Sequence, residues 1–265
     1  VPSIIQEHRG FWGQIWKLAR LDIKKRFKGS FLGSAWAIVG PFTTLMLFWF
    51  VFTIGLRAGG DINGVPFFQF LMVGLVAWYF MRDMLNQGAR TIRQNSQYVT
   101  KIHFPVSTIM TFSAISYAIV HLMLLACVYL YLVAMGNTPS LYHLQFFIYF
   151  PLMFIFFLAV TWTLAPWVVY SRDLQNLISS VMTAVFWLSG ILWNSYDLGL
   201  PWLKKLMIFN PVTFFVNGYR KTFLYHEWIW ERPIEVYVFL GILAITIAFG
   251  VYNYKRLRKD MADVL

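Results

Sequence analysis

Between Lys101 and Arg172 the chain runs for 70 residues without a single Asp, Glu, Lys or Arg. About 20 apolar residues already suffice for a helix to cross the hydrocarbon core of a bilayer, so this run holds two crossings. Gly136-Asn137-Thr138-Pro139-Ser140 interrupts it with turn-forming residues and marks a tight turn between them. Four further uncharged runs follow the same rule: Phe31–Leu56, Ile62–Met81, Leu174–Tyr196 and Val236–Tyr254. Charged residues make up 12% of the 265, where a soluble domain carries about 25%. An outer-membrane barrel is excluded because its strands alternate apolar and polar residues instead of running apolar. The one cysteine, Cys127, rules out an internal disulfide framework or a cysteine-built zinc cluster.

The sequence therefore predicts an all-α membrane protein with six transmembrane helices, over about 31–56, 62–82, 105–135, 145–171, 174–196 and 234–255. Residues 1–30 precede them as a cytoplasmic segment, and 31–265 form the membrane domain. The net charge of +11 is concentrated at the two ends, with seven Lys/Arg in the first 30 residues and Lys255, Arg256, Arg258 and Lys259 at the close. The positive-inside rule then places both termini in the cytoplasm, which agrees with an even number of spans. Nucleic acid is not called for, since the basic residues track the topology. The N-terminal stretch lacks a cleavable-signal pattern.

Three segments between spans stand out. In the first 30 residues Trp12, Trp16, Ala19, Ile23 and Phe27 share one helical face, and Lys17, Arg20, Lys24 and Lys28 a neighbouring one. This reads as an amphipathic helix in the membrane interface, its basic groups beside phosphates. The polar segment from Arg82 to Pro105, with Arg90, Arg93, Asn95, Ser96 and Lys101, is longer than a hairpin needs and reads as a short helix protruding toward a cytosolic partner. Leu206–Tyr219 is uncharged but too short to span, and Asn210-Pro211 interrupts it. Two short helices meeting there, within a re-entrant segment of about 200–226, are expected; broken backbone at membrane depth points to a conduit nearby. Arg172-Asp173, in a very short cytoplasmic turn, reads as a gate pairing with Arg82-Asp83.

Energy-coupling chemistry is missing. There is no G-x-x-x-x-G-K-[ST] phosphate loop and no H-E-x-x-H, and no acid lies deep in a span. No catalytic residue or metal ligand set is assigned. A membrane-embedded glycolipid-modifying enzyme stays open as an alternative, with Asp61 and the Glu227/Glu231/Glu235 series as its carboxylates; so does a scaffold subunit.

Gly64-Val65-Pro66-Phe67, Leu71-Met72-Val73-Gly74, Phe104-Pro105-Val106-Ser107, Arg172-Asp173, Asn210-Pro211-Val212, Tyr219-Arg220, Leu224-Tyr225-His226-Glu227-Trp228 and the closing Met261–Leu265 together resemble the polysaccharide-export ABC permeases. Within these the chain resembles the wall teichoic acid branch, with an O-antigen or capsular exporter as the alternative. The resemblance implies a homodimer with two separate ATP-binding subunits, which carry ATP and Mg, so this chain holds no cofactor. It implies a polyprenyl-diphosphate-linked polymer moved across the plasma membrane. In that frame Lys17, Arg20, Lys24 and Lys28 gather the substrate headgroup. Arg90, Arg93, Asn95, Ser96 and Lys101 couple to the ATPase. Phe42, Trp49, Phe52, Phe186, Trp187 and Trp193, on the first and fifth spans, line a conduit at the dimer interface. Asn210, Pro211, Tyr219 and Arg220 form the hairpin at its outer end.

Overall fold

The computed structural model describes residues 2–57, 59–100, 104–258 and 261–264. It is helical, and no β-strand occurs among the described residues beyond an isolated Ile62–Val65 bridge. Two helices open the chain, α1 (Pro2–His8) and α2 (Trp12–Phe27). The membrane-length helices are α3 (Trp36–Trp49, prolonged by a π-helical turn over Phe50–Gly55), α4 (Phe67–Asn86), α7 (Val106–Ala134), α8 (Phe146–Tyr170) and α12 (Pro233–Leu257). Short helices α5 (Thr91–Gln94) and α6 (Ser96–Thr100) follow α4. Helices α9 (Arg172–Leu188), α10 (Pro201–Ile208) and α11 (Pro211–Arg220) lie between α8 and α12, and α13 (Met261–Val264) closes the fold.

Five helical segments are long and apolar enough to cross a membrane: Gly33–Gly55, Phe67–Gln94, Val106–Ala134, Leu141–Tyr170 and Pro233–Leu257. The protein is a multi-pass membrane protein. The helix within the expected span over 174–196 is shorter than expected: it ends at Leu188, because Gly190 takes a left-handed φ of 67°. Seventeen residues rise only about 25 Å, short of a hydrocarbon core of about 30 Å.

Helix α4 is the centre of the bundle. Every residue from Phe70 to Met81 is buried, as expected of a helix that is apolar all round. It packs against α3, α7, α8, α9 and α11. Helix α3 is the opposite case: 6% of its most apolar window is buried, against 72% for α4. Its inner contacts include Leu45, which is buried in the main core, and Pro41, whose carbonyl accepts from the Tyr79 hydroxyl at 3.1 Å. A second, smaller core joins the N-terminal helices to α7, α8 and α12 through Ile4, Ile15, Ala19, Ile109, Phe112, Val169 and Tyr254.

Candidate functional site

The N-terminal helix presents its four predicted cations to the exterior. Lys17, Arg20, Lys24 and Lys28 are all exposed, and the Arg20 guanidinium lies 5.1 Å from the Trp16 ring. The apolar face differs from the expected one. Ile15 and Ala19 are fully buried against the protein, while Trp12 and Trp16 are 62% and 45% exposed. On a helix at the edge of a membrane protein, tryptophans left exposed by the rest of the chain suit a membrane interface.

This helix is also tied down by polar contacts that periodicity does not show. Arg26 Nη2 donates to Asp22 Oδ2 (3.0 Å) and to Ser116 Oγ of α7 (2.8 Å), and the Ser116 hydroxyl donates to Asp22 Oδ2 (2.5 Å). The guanidinium sits 4.1 Å from the Tyr117 ring centre. The i, i+4 spacing of Asp22 and Arg26 was the available signal for the pair; the partner on α7 had none. Glu7 of α1 accepts from the Ser107 hydroxyl (2.5 Å), the Tyr254 hydroxyl (2.7 Å) and Arg258, which joins α1 to the start of α7 and the end of α12.

The segment after α4 folds back instead of protruding. Thr91, Ile92, Asn95 and Val99 are buried, and Thr91 shares a 2.5 Å hydrogen bond with Ser113 of α7. Asn95 therefore turns inward, its amide donating to Thr91 O at 2.9 Å. Arg90, Arg93 and Ser96 are half-buried, and Lys101 lies outside the described residues.

The charged turns do not pair as expected. Arg82 bonds its own neighbour, with Nε at 3.0 Å and Nη2 at 2.8 Å from Asp83 Oδ1. Both side chains reach sideways off the end of α4, where the aliphatic stem of arginine is long enough to fold back. Arg172 and Asp173 are exposed, and no salt bridge joins them to Arg82 or Asp83 among the described residues.

The most built part of the molecule is the junction between α9 and the α10–α11 pair. The two short helices meet at Asn210-Pro211, as the sequence predicts. Asn210 caps α11: its Oδ1 accepts from the N–H groups of Val212 (2.9 Å) and Thr213 (3.4 Å), and Pro211 supplies the first helical residue. The other end of the same side chain, Nδ2, donates to Ser189 Oγ at 2.9 Å. Thr213 Oγ1 donates to Ser189 O (3.1 Å); Arg220 Nη1 and Nη2 donate to Gly190 O (2.8 Å) and Ile191 O (2.6 Å). Three consecutive carbonyls at the end of α9 are thus satisfied by side chains of α11. The Ser189 carbonyl is at the helix cap and the other two lie in the turn after it, where no helical N–H reaches them, and a carbonyl oxygen suits a cation.

Arg220 is 1% exposed and has no carboxylate partner among the described residues; its Nε donates to Phe70 O at 3.3 Å and its guanidinium carbon lies 3.4 Å from the Phe70 ring centre. Gly74 makes the space: a Cβ there would meet Arg220 Nη2 at 2.6 Å. Tyr219 is buried on the neighbouring face, its hydroxyl 2.8 Å from His121 Nε2. Next along the chain, Lys221 pairs with Glu235 at 2.9 Å, and burial draws its ammonium below the usual lysine range while Glu235 opposes that shift. Burial, reinforced by Glu235, pushes the Tyr196 phenol up.

The predicted aromatic set falls into two groups. Phe186 stacks on Phe48 at 5.5 Å and lies 5.4 Å from Trp78, which brings α9 and α3 together over α4. Phe42 and Trp187 are about half exposed. Trp49 and Phe52 instead meet Phe68 and Phe67 at the start of α4, and the Trp193 Nε1 donates to Trp187 O at 2.9 Å, folding it over the end of α9.

A family model described as ABC-2 type transporter matches residues 13–224. The chain is 24% identical over 254 residues to the O-antigen export system permease protein RfbA of Myxococcus xanthus, covering 96% of each chain. It is 23% identical over 247 residues to a protein of the same description from Klebsiella pneumoniae, covering 92% of each.

Proposed function

The chain belongs to the ABC-2 type transporter family, and from that premise we propose that it is the membrane permease of an ATP-driven exporter of lipid-linked polysaccharide. The observation that carries the reading is the match to O-antigen export permeases along nearly the whole of both chains. It favours an O-antigen or capsular polymer over the wall teichoic acid that the sequence motifs first pointed to. The permease works as a homodimer with two ATP-binding subunits, which hold ATP and Mg. Both termini face the cytoplasm. That parity needs a sixth crossing, and α9 supplies it together with its cap: the short helix stops within the outer leaflet, and the α10–α11 pair re-enters to cover its end.

Lys17, Arg20, Lys24 and Lys28 form a cationic strip at the cytoplasmic interface for a diphosphate headgroup, each charge contributing about 1 kcal/mol near an anionic surface. Arg90, Arg93 and Ser96 are the half-buried contact for the ATP-binding subunit, with Lys101 continuing it and Asn95 bracing it from inside. Arg172 and Asp173 are exposed toward a second copy, where the gate role belongs; the Arg82–Asp83 pair is already satisfied within its own chain.

The test is co-expression with each ATP-binding ABC chain of the same genome, followed by purification. One of them should co-purify as a stable complex and drive ATP-dependent movement of a lipid-linked polysaccharide in inverted vesicles. Purification of the folded chain without any such partner would overturn the proposal. Movement of a polyol-phosphate polymer alone would return the substrate to the teichoic acid class.

A further inference from the structure

A cavity of about 380 Å³ lies between the α10–α11 pair and the first turn of α12. None of the residues assigned to the permease lines it; Glu235, one of the carboxylates of the enzyme alternative, does. Its polar groups converge from four parts of the chain: Ser195 and Tyr196 from the turn after α9, Asn217 from α11, Glu235 from α12 and Arg232 just before it. Met207, Ile208 and Phe214 form an apolar wall. This volume is at the small end of ligand pockets, which run from about 300 to 1,000 Å³. It admits a small molecule or one or two units of a polymer, and not a folded chain.

The chemistry of the lining selects the guest. Ser195 and Asn217 are 2% and 5% exposed. Asn217 Nδ2 donates to Ser195 Oγ at 2.8 Å, and no further side-chain bond engages the Ser195 hydroxyl hydrogen or Asn217 Oδ1 among the described residues. Buried polar groups seldom stay unmatched, so this pair offers one donor and one acceptor to whatever enters. Glu235 behaves likewise: its Oε2 accepts from both Lys221 Nζ (2.9 Å) and Tyr196 OH (3.1 Å), and its Oε1 carries no side-chain bond among the described residues.

The charges largely cancel. Glu235 is paired with Lys221, and Arg232 lies 3.6 Å from Glu227 and 3.9 Å from the centre of the Tyr196 ring. Lys204 alone, at the exposed rim, has no ion pair among the described residues. A phosphate would meet a carboxylate on the floor and find its cations already engaged. A neutral sugar fits better: alternating hydroxyl donors and acceptors for Ser195, Asn217 and Glu235, and a C–H face for the Met207–Ile208–Phe214 wall.

We propose that this cavity binds one or two units of an uncharged carbohydrate, giving the permease a polymer-holding subsite at the hairpin end, away from the basic N-terminal helix. The role in holding an exported polymer rests on the permease reading; sugar binding itself does not need a partner. A site there would retain the emerging chain while the rest of the molecule resets, which suits weak affinity per unit.

The experiment uses the full chain in nanodiscs with saturation-transfer NMR and a panel of neutral disaccharides built from glucose, mannose, galactose and N-acetylglucosamine. At least one should receive saturation. Ile208→Trp, which fills the cavity, should abolish the signal. Ser195→Ala should weaken binding about fivefold, as loss of one hydrogen bond does. Both variants are compared at matched melting temperature, and Ser195→Ala decides if the larger substitution does not fold. Inorganic phosphate at the same concentration should not displace the sugar. Absence of transfer from every disaccharide, an undiminished signal in the variants, or displacement by phosphate would each overturn the subsite. Since no ATP-binding partner is present, a failed co-purification and a failed sugar signal remain separate results.

Discussion

At the scale of single residues, Arg220 is the group with most at stake. A cation taken out of water costs several kcal/mol unless hydrogen bonds and opposing dipoles replace its hydration. Here the replacement is backbone: carbonyls of Phe70, Gly190 and Ile191, the last two in the turn after α9. Arg220→Leu removes the donors and leaves the Gly190 and Ile191 carbonyls dry, at about 1–3 kcal/mol for each one that stays unsatisfied, while the Phe70 carbonyl keeps its place in the α4 ladder. We expect a clear fall in the melting temperature of the detergent-solubilised chain, with Arg220→Lys intermediate because an ammonium lacks the planar fork. Gly74→Ala should be destabilising for the same reason, since the added Cβ occupies the guanidinium's place. The Gly74→Ala/Arg220→Leu double variant should lose less than the sum of the single ones; strict additivity, or a wild-type melt for Arg220→Leu, would sink the account. The sequence placed Arg220 in the hairpin at the outer end of the conduit. Its burial was not legible there, because its partners are main-chain oxygens and a main-chain oxygen leaves no mark in a sequence. The Asn210 cap was legible, because Asn-Pro at a helix start is a local signal with a local cause.

At the scale of elements, hydropathy located five long apolar helices and overran the end of the helix within Leu174–Tyr196. Leu174–Tyr196 is uncharged throughout, so hydropathy does not separate the helix to Leu188 from the turn that follows; the local mark is Ser189-Gly190, a turn dipeptide. The break lies in a backbone angle at Gly190 and in caps supplied from residues 210–220. Helix α2 illustrates a related limit. Its apolar residues form two stripes, Ile15 and Ala19 toward α7, Trp12 and Trp16 outward, and periodicity merges the two into one face. What orients it is the Asp22–Arg26–Ser116 cluster. Ser116→Ala should therefore leave the bundle intact but raise amide hydrogen exchange in Trp12–Phe27 several-fold, with no matching rise in α4; equal exchange in both proteins would show that apolar packing alone holds the helix. A paired Lys17→Gln/Lys24→Gln change touches only exposed cations. In the complex with the ATP-binding subunits it should lower substrate-stimulated ATP hydrolysis more than basal hydrolysis. A parallel loss of both would assign those lysines to anchoring alone.

At the scale of the whole molecule, the proposed homodimer raises the question of which surface would meet a second copy. A polymer cannot thread one helical bundle packed at protein density, whose voids seldom exceed a water molecule, so the proposed exporter would pass it through a seam between subunits. The bundle distributes its exposed apolar surface unevenly. Helix α4 is covered on all sides, while α3 touches the rest of the chain along a thin line and presents Phe42, Leu47, Phe50 and Ile54 outward, each more than half exposed. Helix α9 lies beside it through the Phe48–Phe186 stack and shows Leu177, Val181, Trp187 and Leu188 on its own outer side. Lipid alone accounts for an apolar exterior, so exposure does not choose between this face and that of α12, where Ile245 is 70% exposed. Two other features do. The α3–α9 face carries at one end the exposed Arg172-Asp173 turn, which has no ion pair among the described residues, and at the other the capped α9–hairpin junction, so motion at either end of the bundle reaches it through α9. The α12 face has neither, and its C-terminal end is locked by the Glu7–Tyr254–Arg258 contacts. With the exposed Cys127 replaced by Ser, Leu47→Cys and Trp187→Cys should each give a disulfide-linked or short-linker cross-linked dimer in native membranes, and Ile245→Cys should not. A dimer trapped by Ile245→Cys and not by the other two would move the seam to α12, and with it the path of the polymer.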